Sequence, residues 1–309
     1  AKSGPTVDGA RTSFEMDVES DLTGMSRVKQ FQSLAEGAVA VLETGNTRQK
    51  ATLGRAVVSA WRDGTLSTIG TAAPPDRPAR PALPALRPPR EVPKRKITAA
   101  PTGRIALLHA LAHIELNAID LSWDIIARYT GHDLPEDFYT DWMKVADDES
   151  KHFLLIADRL EELGSHYGAL NAHDGLWGAA TKTAHDLLAR LSIVPLVLEA
   201  RGLDVTPAMI TKMRDVGDEA SSDILQIIFD DEITHVAVGK RWFDHVCDRE
   251  GKPRIETWQH LVRTHFRGGV KPPFNIPARE LAGFAAAFYV PLGEEFLASQ
   301  QTGREGKAS

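Results

Sequence analysis

The sequence predicts an all-α protein built on a four-helix bundle, and three observations lead to this prediction. Four long segments repeat apolar residues at the three- and four-residue spacing of an amphipathic helix. Two of these segments contain the motif Glu-x-x-His. The other two carry a lone glutamate on their apolar stripe, 34 and 33 residues before the motif glutamates. We therefore expect four helices that point acidic and imidazole side chains at one place.

Composition limits the class of protein. The chain has 309 residues, 42% hydrophobic and 25% charged, which is typical of a globular protein. Its net charge of −6 gives no overall attraction to nucleic acid or to an anionic membrane. Cys247 is the sole cysteine, so an internal disulfide is excluded. Because we find neither a signal peptide nor an apolar run near the roughly 20 residues of a membrane span, we expect a cytoplasmic protein with no membrane partner.

Four regions are predicted along the chain. Residues 1–71 comprise a loosely packed lead over 1–25 and a helical hairpin, with helices over 26–42 and 47–61, that packs on the main body. Residues 72–101 form a Pro-rich basic strap, and residues 102–250 form the bundle. Residues 251–309 form a helical and loop extension that covers the bundle, with short helices around 256–264 and 281–289.

The strap has two interpretations. Eight prolines between Pro74 and Pro93 remove amide donors and fix the backbone in an extended form. The segment also carries Arg77, Arg80, Arg87, Arg90, Lys94, Arg95 and Lys96. It either runs along the bundle with its cations solvated or paired with acidic helices, or serves as a basic arm for RNA or another partner.

The first two bundle helices are predicted over 104–130 and from the turn at 131–135 to about Leu163. Glu115 lies about fifteen residues before that turn and Glu149 about fourteen after it, so an antiparallel pair brings both to the same height. On the first helix we expect Asp120 and Asp124 to point to solvent. His109 lies at the edge of the apolar face, and we expect it to be either a buried core histidine or a residue that supports the metal ligands from behind.

The third helix is predicted to start near Leu176, and Pro195 should disturb its hydrogen bonding one turn before Glu199. We expect a break at 202–207, with the chain continuing in the same direction to a turn at 217–218. The fourth helix then spans about 219–247. This turn places Glu199 eighteen residues before it and Glu232 fourteen after it, at matching heights.

A metal site follows from these positions. Glu and His three residues apart share one helix face, and a buried carboxylate needs a cation. The predicted ligands are Glu115, Glu149, His152, Glu199, Glu232 and His235. Four carboxylates match the charge of two divalent ions, and oxygen with imidazole ligation suits iron or manganese.

Further residues are predicted to support these ligands. We expect Asp231 to hydrogen-bond His152 and Asp148 to hydrogen-bond His235, because metal-bound histidines donate their second N–H to a carboxylate. Arg201, two residues after Glu199, is a candidate supporting or substrate-binding group.

The six-residue set resembles the ferritin-like di-iron carboxylate superfamily. The segments HALAHIELNAIDLSWD, LEARGLDVTP and DDEITHVAVGKRWF more closely resemble an uncharacterised bacterial family of ferritin-like domain proteins, over about residues 30–290. The resemblance implies a ferritin-like bundle with two iron ions, or alternatively manganese or a mixed Mn/Fe pair. It supplies no reaction, since fold alone does not determine function.

Several functions therefore stay open. The leading hypothesis is an oxidase or hydroxylase that uses O2 or peroxide, and an external reductant, on an unknown small-molecule or nucleotide-linked substrate. Alternatives are an iron-binding ferroxidase or storage protein, an RNA-modifying enzyme similar to a tRNA hydroxylase, and an interaction protein with a vestigial metal site. The large extensions favour a monomer or dimer over a storage cage.

Overall fold

The computed structural model describes residues 26–93 and 95–305, and the predicted lead over 1–25 lies outside these residues. Apart from one bridge between Leu86 and Ala172, the described residues contain no β-structure, which confirms the all-α prediction. The α-helices are α1 (Leu34–Leu42), α2 (Thr47–Arg62), α3 (Pro101–Arg128), α4 (Glu136–Glu162), α5 (Gly175–Lys182), α6 (Leu187–Ile193), α7 (Ala200–Asp215), α8 (Glu219–Arg249), α9 (Arg254–His265), α10 (Ile276–Leu281) and α11 (Ala286–Glu305).

The N-terminal hairpin packs on the main body, α1 against α3 and α2 against α4. Helix α1 begins at Leu34, so the prediction of one helix from residue 26 is wrong. The reason is a helix cap, because the Ser33 hydroxyl accepts the Glu36 N–H at 3.2 Å. Capping serines stop a helix from extending toward the N-terminus.

Helices α3 and α4 form the most extensive helix pair among the described residues, and α7 with α8 forms the next. Helix α4 also packs on α8, which joins the two pairs. By length and composition, α3 could cross a membrane, so the expectation that no apolar segment reaches that length is wrong. However, 78% of its most apolar window is buried inside the protein, as in a core helix.

Asp120 and Asp124 on α3 are fully buried, so the prediction that both face solvent is wrong. Asp120 pairs with Lys50, which is also buried, and accepts the Arg80 Nε–H at 2.8 Å. The buried Arg190 donates to Asp124 at 2.6 Å. Cations from distant segments therefore remove the cost that would otherwise force these carboxylates to the surface.

The Pro-rich segment contacts the main body along its first half. Besides the bond to Asp120, Arg80 donates to Asn117 at 2.9 Å, and the Ala79 N–H donates to the Leu42 carbonyl at 2.8 Å. These contacts agree with the strap interpretation for this half. Four basic residues of the second half are exposed, namely Arg87, Arg90, Arg95 and Lys96, so a binding role for this part stays a prediction.

The predicted third helix is divided into α5, α6, a π-helical segment (Val194–Glu199) and α7. Helix α5 does not continue into α6, because the Asp186 carboxylate accepts the Leu188 N–H at 2.8 Å and caps α6. The prediction of a break at 202–207 is wrong, since α7 continues through Pro207. Proline removes the bond to the Leu203 carbonyl, and the Asn275 side chain donates to that carbonyl instead at 3.1 Å.

The turn between α7 and α8 falls where the sequence predicts it, with Gly217 at φ 77°. In the C-terminal extension, α9 packs on α6 and on α11. The predicted helix over 281–289 is helical only from Ala286, because α10 ends at Leu281 and α11 begins at Ala286. Phe284 lies between the two helices and Phe288 lies in the first turn of α11, and both are buried against Trp258.

Candidate metal centre

The six predicted ligands come from all four helical segments at the centre of the fold. Glu115 lies on α3, Glu149 and His152 on α4, Glu199 at the end of the π-helical segment, and Glu232 and His235 on α8. The ligand atoms of Glu115, Glu149, His152 and Glu232 lie within 4.8 Å of one another, and this group could hold a metal ion.

Glu149 lies between the two histidines. His152 Nδ1 is 3.4 Å from Glu149 Oε2 and 3.3 Å from Glu115 Oε2. His235 Nδ1 is 3.1 Å from Glu149 Oε1 and 3.6 Å from Glu232 Oε1. One carboxylate therefore uses a different oxygen toward each imidazole, which divides the cluster into two neighbouring halves.

The ligand atoms are buried but make no hydrogen bonds. Each of the six residues has at least one buried polar atom without a hydrogen-bond partner, and together they hold seven of the fifteen such atoms in the described part of the chain. These are Glu115 Oε2, both Glu149 oxygens, His152 Nδ1, Glu199 Oε2, Glu232 Oε2 and His235 Nδ1. Several of these atoms lie 3.1 to 3.4 Å apart and still do not form a hydrogen bond with one another. Leaving buried polar atoms unpaired is costly, so this arrangement fits a bound cation.

Burial and mutual charge shift the pKa values of the residues in the cluster. Burial and the charge of Glu149 raise the pKa of Glu115 well above its usual value, and burial with the charges of Glu232 and Glu149 does the same for Glu199. Burial would lower the pKa of His235, but the surrounding carboxylates outweigh it and raise that pKa. Because these pKa values are raised, a metal ion would have to compete with protons for the same side chains.

The histidines are oriented by carboxylates on their far sides. His152 Nε2 is 2.9 Å from Asp231 Oδ2, and His235 Nε2 is 3.3 Å from Asp148 Oδ2, the crossed partners that the sequence predicts. An Nε2–H donated to each carboxylate leaves the Nδ1 lone pair facing the cluster. Lys151 lies between the two aspartates, 2.6 Å from Asp231 and 3.5 Å from Asp148. We did not predict this lysine, although its position three residues after Asp148 was a usable signal.

The π-helical segment positions Glu199. Pro195 disturbs the helix as predicted, since it lies in the π-helical turn that ends at Glu199. Helix α8 approaches this turn closely, because a Cβ on Gly239 would lie 2.3 Å from the Pro195 Cβ. Such π-helical turns are frequent at functional sites.

Two predicted supporting residues lie elsewhere. His109 is buried and its Nε2 accepts the Gly168 N–H at 2.9 Å, which agrees with the predicted core histidine rather than with a position behind the ligands. Arg201 donates to the Lys271 carbonyl at 2.7 Å and to the Pro273 carbonyl at 3.3 Å rather than to a ligand. A supporting role for Arg201 is therefore wrong, while a role in substrate binding stays a prediction.

A cavity of about 240 Å³ adjoins the cluster. Glu115, Glu199 and Glu232 line one side of it, and the remaining lining is mostly apolar, with Leu111 and Met209 among its residues. The cluster is thus closed by protein on one side and faces an apolar space on the other. A small molecule in that space would lie against the candidate ligands.

Comparison with known proteins places the chain in a family. A protein of Haemophilus influenzae (strain ATCC 51907 / DSM 11121 / KW20 / Rd) described as "Uncharacterized protein" is 42% identical over 202 residues, which cover 63% of this chain and 69% of that protein. No solved structure matches the chain. A family model matches residues 43–290, a range that includes all six candidate ligands. The chain therefore belongs to the family described as "Protein of unknown function (DUF455)".

Proposed function

We propose that this protein is a ferritin-like four-helix bundle that binds two metal ions and acts as a di-iron oxidoreductase. One observation carries the proposal: each of six acidic and imidazole residues from four helical segments has a buried ligand atom without a hydrogen-bond partner. A structural cluster of this size would be expected to pair its own donors and acceptors. The same set of residue types defines the di-metal sites of ferritin-like bundles.

The donor set fits two divalent ions. Four carboxylates and two neutral imidazoles carry a charge of about −4, which two such ions neutralise. Glu115 and His152 would hold one ion, and Glu199, Glu232 and His235 the other, with Glu149 contacting both histidines. Oxygen and imidazole donors without a thiolate favour iron or manganese.

The protein's own residues would set up the reaction. When bound, two redox-active ions supply electrons for O2 chemistry, for example RH + O2 + 2e⁻ + 2H⁺ → ROH + H2O, with the electrons replaced by an external reductant. Asp231 and Asp148 hold the imidazole rings, and their charges favour the Nε2–H tautomer. The apolar cavity keeps water away from Glu199 and Glu232 on the side where a substrate would enter.

A ferroxidase or storage role is the alternative. The cavity beside the cluster favours an enzyme, because iron storage needs a path for ions rather than an apolar space. Size-exclusion chromatography with light scattering distinguishes the two. A monomer or dimer supports the enzyme, and a closed shell of twelve or more subunits supports storage.

Metal analysis of anaerobically purified protein tests the proposal. We expect two iron ions per chain and a change in the absorption spectrum when O2 is admitted. Replacing Glu232 by alanine should reduce the iron content, whereas Asp230→Ala should not, because Asp230 is exposed and bonds only Gln226 among the described residues. Metal-free protein after iron loading, or equal iron in the two variants, would contradict the proposal.

A further inference from the structure

Two cavities meet beside the candidate metal centre. The cavity next to the glutamates adjoins a second one of about 360 Å³. The two spaces share a neck formed by α3, the strap, α5, the π-helical segment and α7, and the residues that line both are Arg95, Ile114, Leu176, Leu198 and Arg201. Together they form a passage that begins under the C-terminal extension and ends at the glutamates.

The inner part of this passage is apolar. Leu107, Met209 and Ile228 line it together with the neck residues Ile114 and Leu198. Ile114 lies in the middle of α3 and is nevertheless 37% exposed, because its side chain faces the passage. An apolar space of this kind excludes water and favours an apolar ligand.

The outer part is positively charged. Arg95, Arg201, Lys271 and Arg279 line it, whereas Asp204 is the acidic residue among its described lining residues. Arg279 pairs with Asp204 at 2.7 and 2.9 Å, and Arg201 lies 3.4 Å from the same carboxylate, so one acidic residue is shared by two of the four cations. Neither Arg95 nor Lys271 forms a salt bridge with a residue whose side chain the structure describes, in the ranges 26–93 and 95–301. In a chain with a net charge of −6, this excess of cations at one opening indicates an anionic ligand group.

We propose that the passage binds an amphiphile with one anionic head group, a carboxylate or a phosphate, on an unbranched alkyl chain. The head group lies between Arg95, Arg201 and Lys271, and the chain passes Ile114 and Leu198 toward Glu199 and Glu232. The opposite orientation would leave the charges of Arg95 and Lys271 facing the alkyl chain without an anion, which is unfavourable. This inference rests on the proposed function, since it names the class of substrate whose chain end would be presented to the metal centre.

Calorimetric titration of the full chain with saturated carboxylates of six to fourteen carbons tests this binding. Each added methylene should tighten binding about fourfold until the passage is full, because burial of a CH2 group contributes a constant amount. The alcohol of the same length should bind at least about tenfold more weakly, because it lacks the charge-assisted hydrogen bonds. Alkyl phosphate in place of carboxylate distinguishes the two head groups.

Two matched pairs of variants locate the site. Arg201→Gln should weaken carboxylate binding about tenfold and leave alcohol binding unchanged, whereas Arg214→Gln, on the same helix but outside both cavities, should change neither. Ile114→Trp should fill the neck, so that lengthening the alkyl chain no longer gives a gain in affinity. Ile227→Trp should leave that gain intact, because Ile227 on α8 is similarly exposed, at 41%, and lines neither cavity. Thermal melting verifies that all four variants fold.

The outcomes separate this inference from the proposed function. Iron content is measured on the same samples. Two iron ions per chain without saturable amphiphile binding would overturn the inference alone. Equal binding by Ile114→Trp and Ile227→Trp, or no preference for a charged head group, would also overturn it. Amphiphile binding by iron-free protein that cannot be loaded with metal would support the binding site and overturn the proposed function.

Crystals with 12-bromododecanoate test the orientation of the ligand. Anomalous density for bromine should lie beside Glu199 and Glu232; density between Arg95 and Lys271 would refute the orientation.

Discussion

Replacing Asp231 with asparagine tests the hydrogen bond behind His152. The substitution keeps the size of the side chain but removes its charge, so the 2.9 Å bond from His152 Nε2 loses its ionic character. Partners of metal-bound histidines contribute about 10- to 100-fold to metal affinity, which equals about 1.4 to 2.8 kcal/mol. We expect Asp231→Asn to weaken metal binding by this amount.

The corresponding hydrogen bond between Asp148 and His235 should contribute less to metal affinity. Each aspartate also pairs with a lysine, but Asp148 is 3.3 Å from His235 Nε2 whereas Asp231 is 2.9 Å from His152 Nε2, so the bond to His235 is the longer one. Asp148→Asn should therefore weaken binding by about tenfold, near the lower end of the same range.

Competition with a chromogenic chelator measures both metal affinities, and Asp230→Asn serves as the control because Asp230 faces solvent on the same helix. The reasoning is refuted if Asp231→Asn binds metal as tightly as this control. Metal-free Asp231→Asn protein should also be less stable than the unmodified protein, because the fully buried His152 loses an ionic partner in addition to the partly exposed pair with Lys151.

Three further predictions follow from the same geometry. Glu149→Ala or His235→Ala should lower metal content and thermal stability together, because binding energy is also folding energy, and full metal occupancy in both would argue against the site. Apparent metal affinity should fall as the pH is lowered, by up to about tenfold per pH unit for each proton displaced, because the pKa of Glu115 and that of His235 are both raised in the cation-free cluster; a pH-independent chelator titration would disagree. Gly239→Ala should destabilise the protein by about 1 to 3 kcal/mol in urea unfolding, because the new Cβ meets Pro195 at 2.3 Å, and an unchanged midpoint would show that α8 can move away.

The candidate ligands could be predicted because each depends on local spacing. Glu149 and His152 share a face whenever their segment is helical, and the apolar stripe around Glu115 decides which way that face points. Counting residues from two turns then placed the carboxylates at one height, and the turn at Gly217 lies where this count requires it.

Features that depend on distant partners could not be predicted in this way. Asp120 is buried because Lys50 and Arg80 reach it from the hairpin and the strap, 70 and 40 residues away in sequence. Pro207 stays inside α7 because Asn275, in the C-terminal extension, satisfies the carbonyl that proline leaves unpaired. Helical periodicity contains no information about either partner, so the local rules for charge and proline gave the wrong result.

Diffraction from iron-loaded crystals, measured above and below the iron absorption edge, tests the central claim most directly. We predict two anomalous peaks in the space enclosed by Glu115, Glu149, His152, Glu232 and His235, with Glu199 bordering one of them. A cluster without an anomalous peak, or one whose carboxylates are instead neutralised by lysine or arginine side chains, would contradict the account.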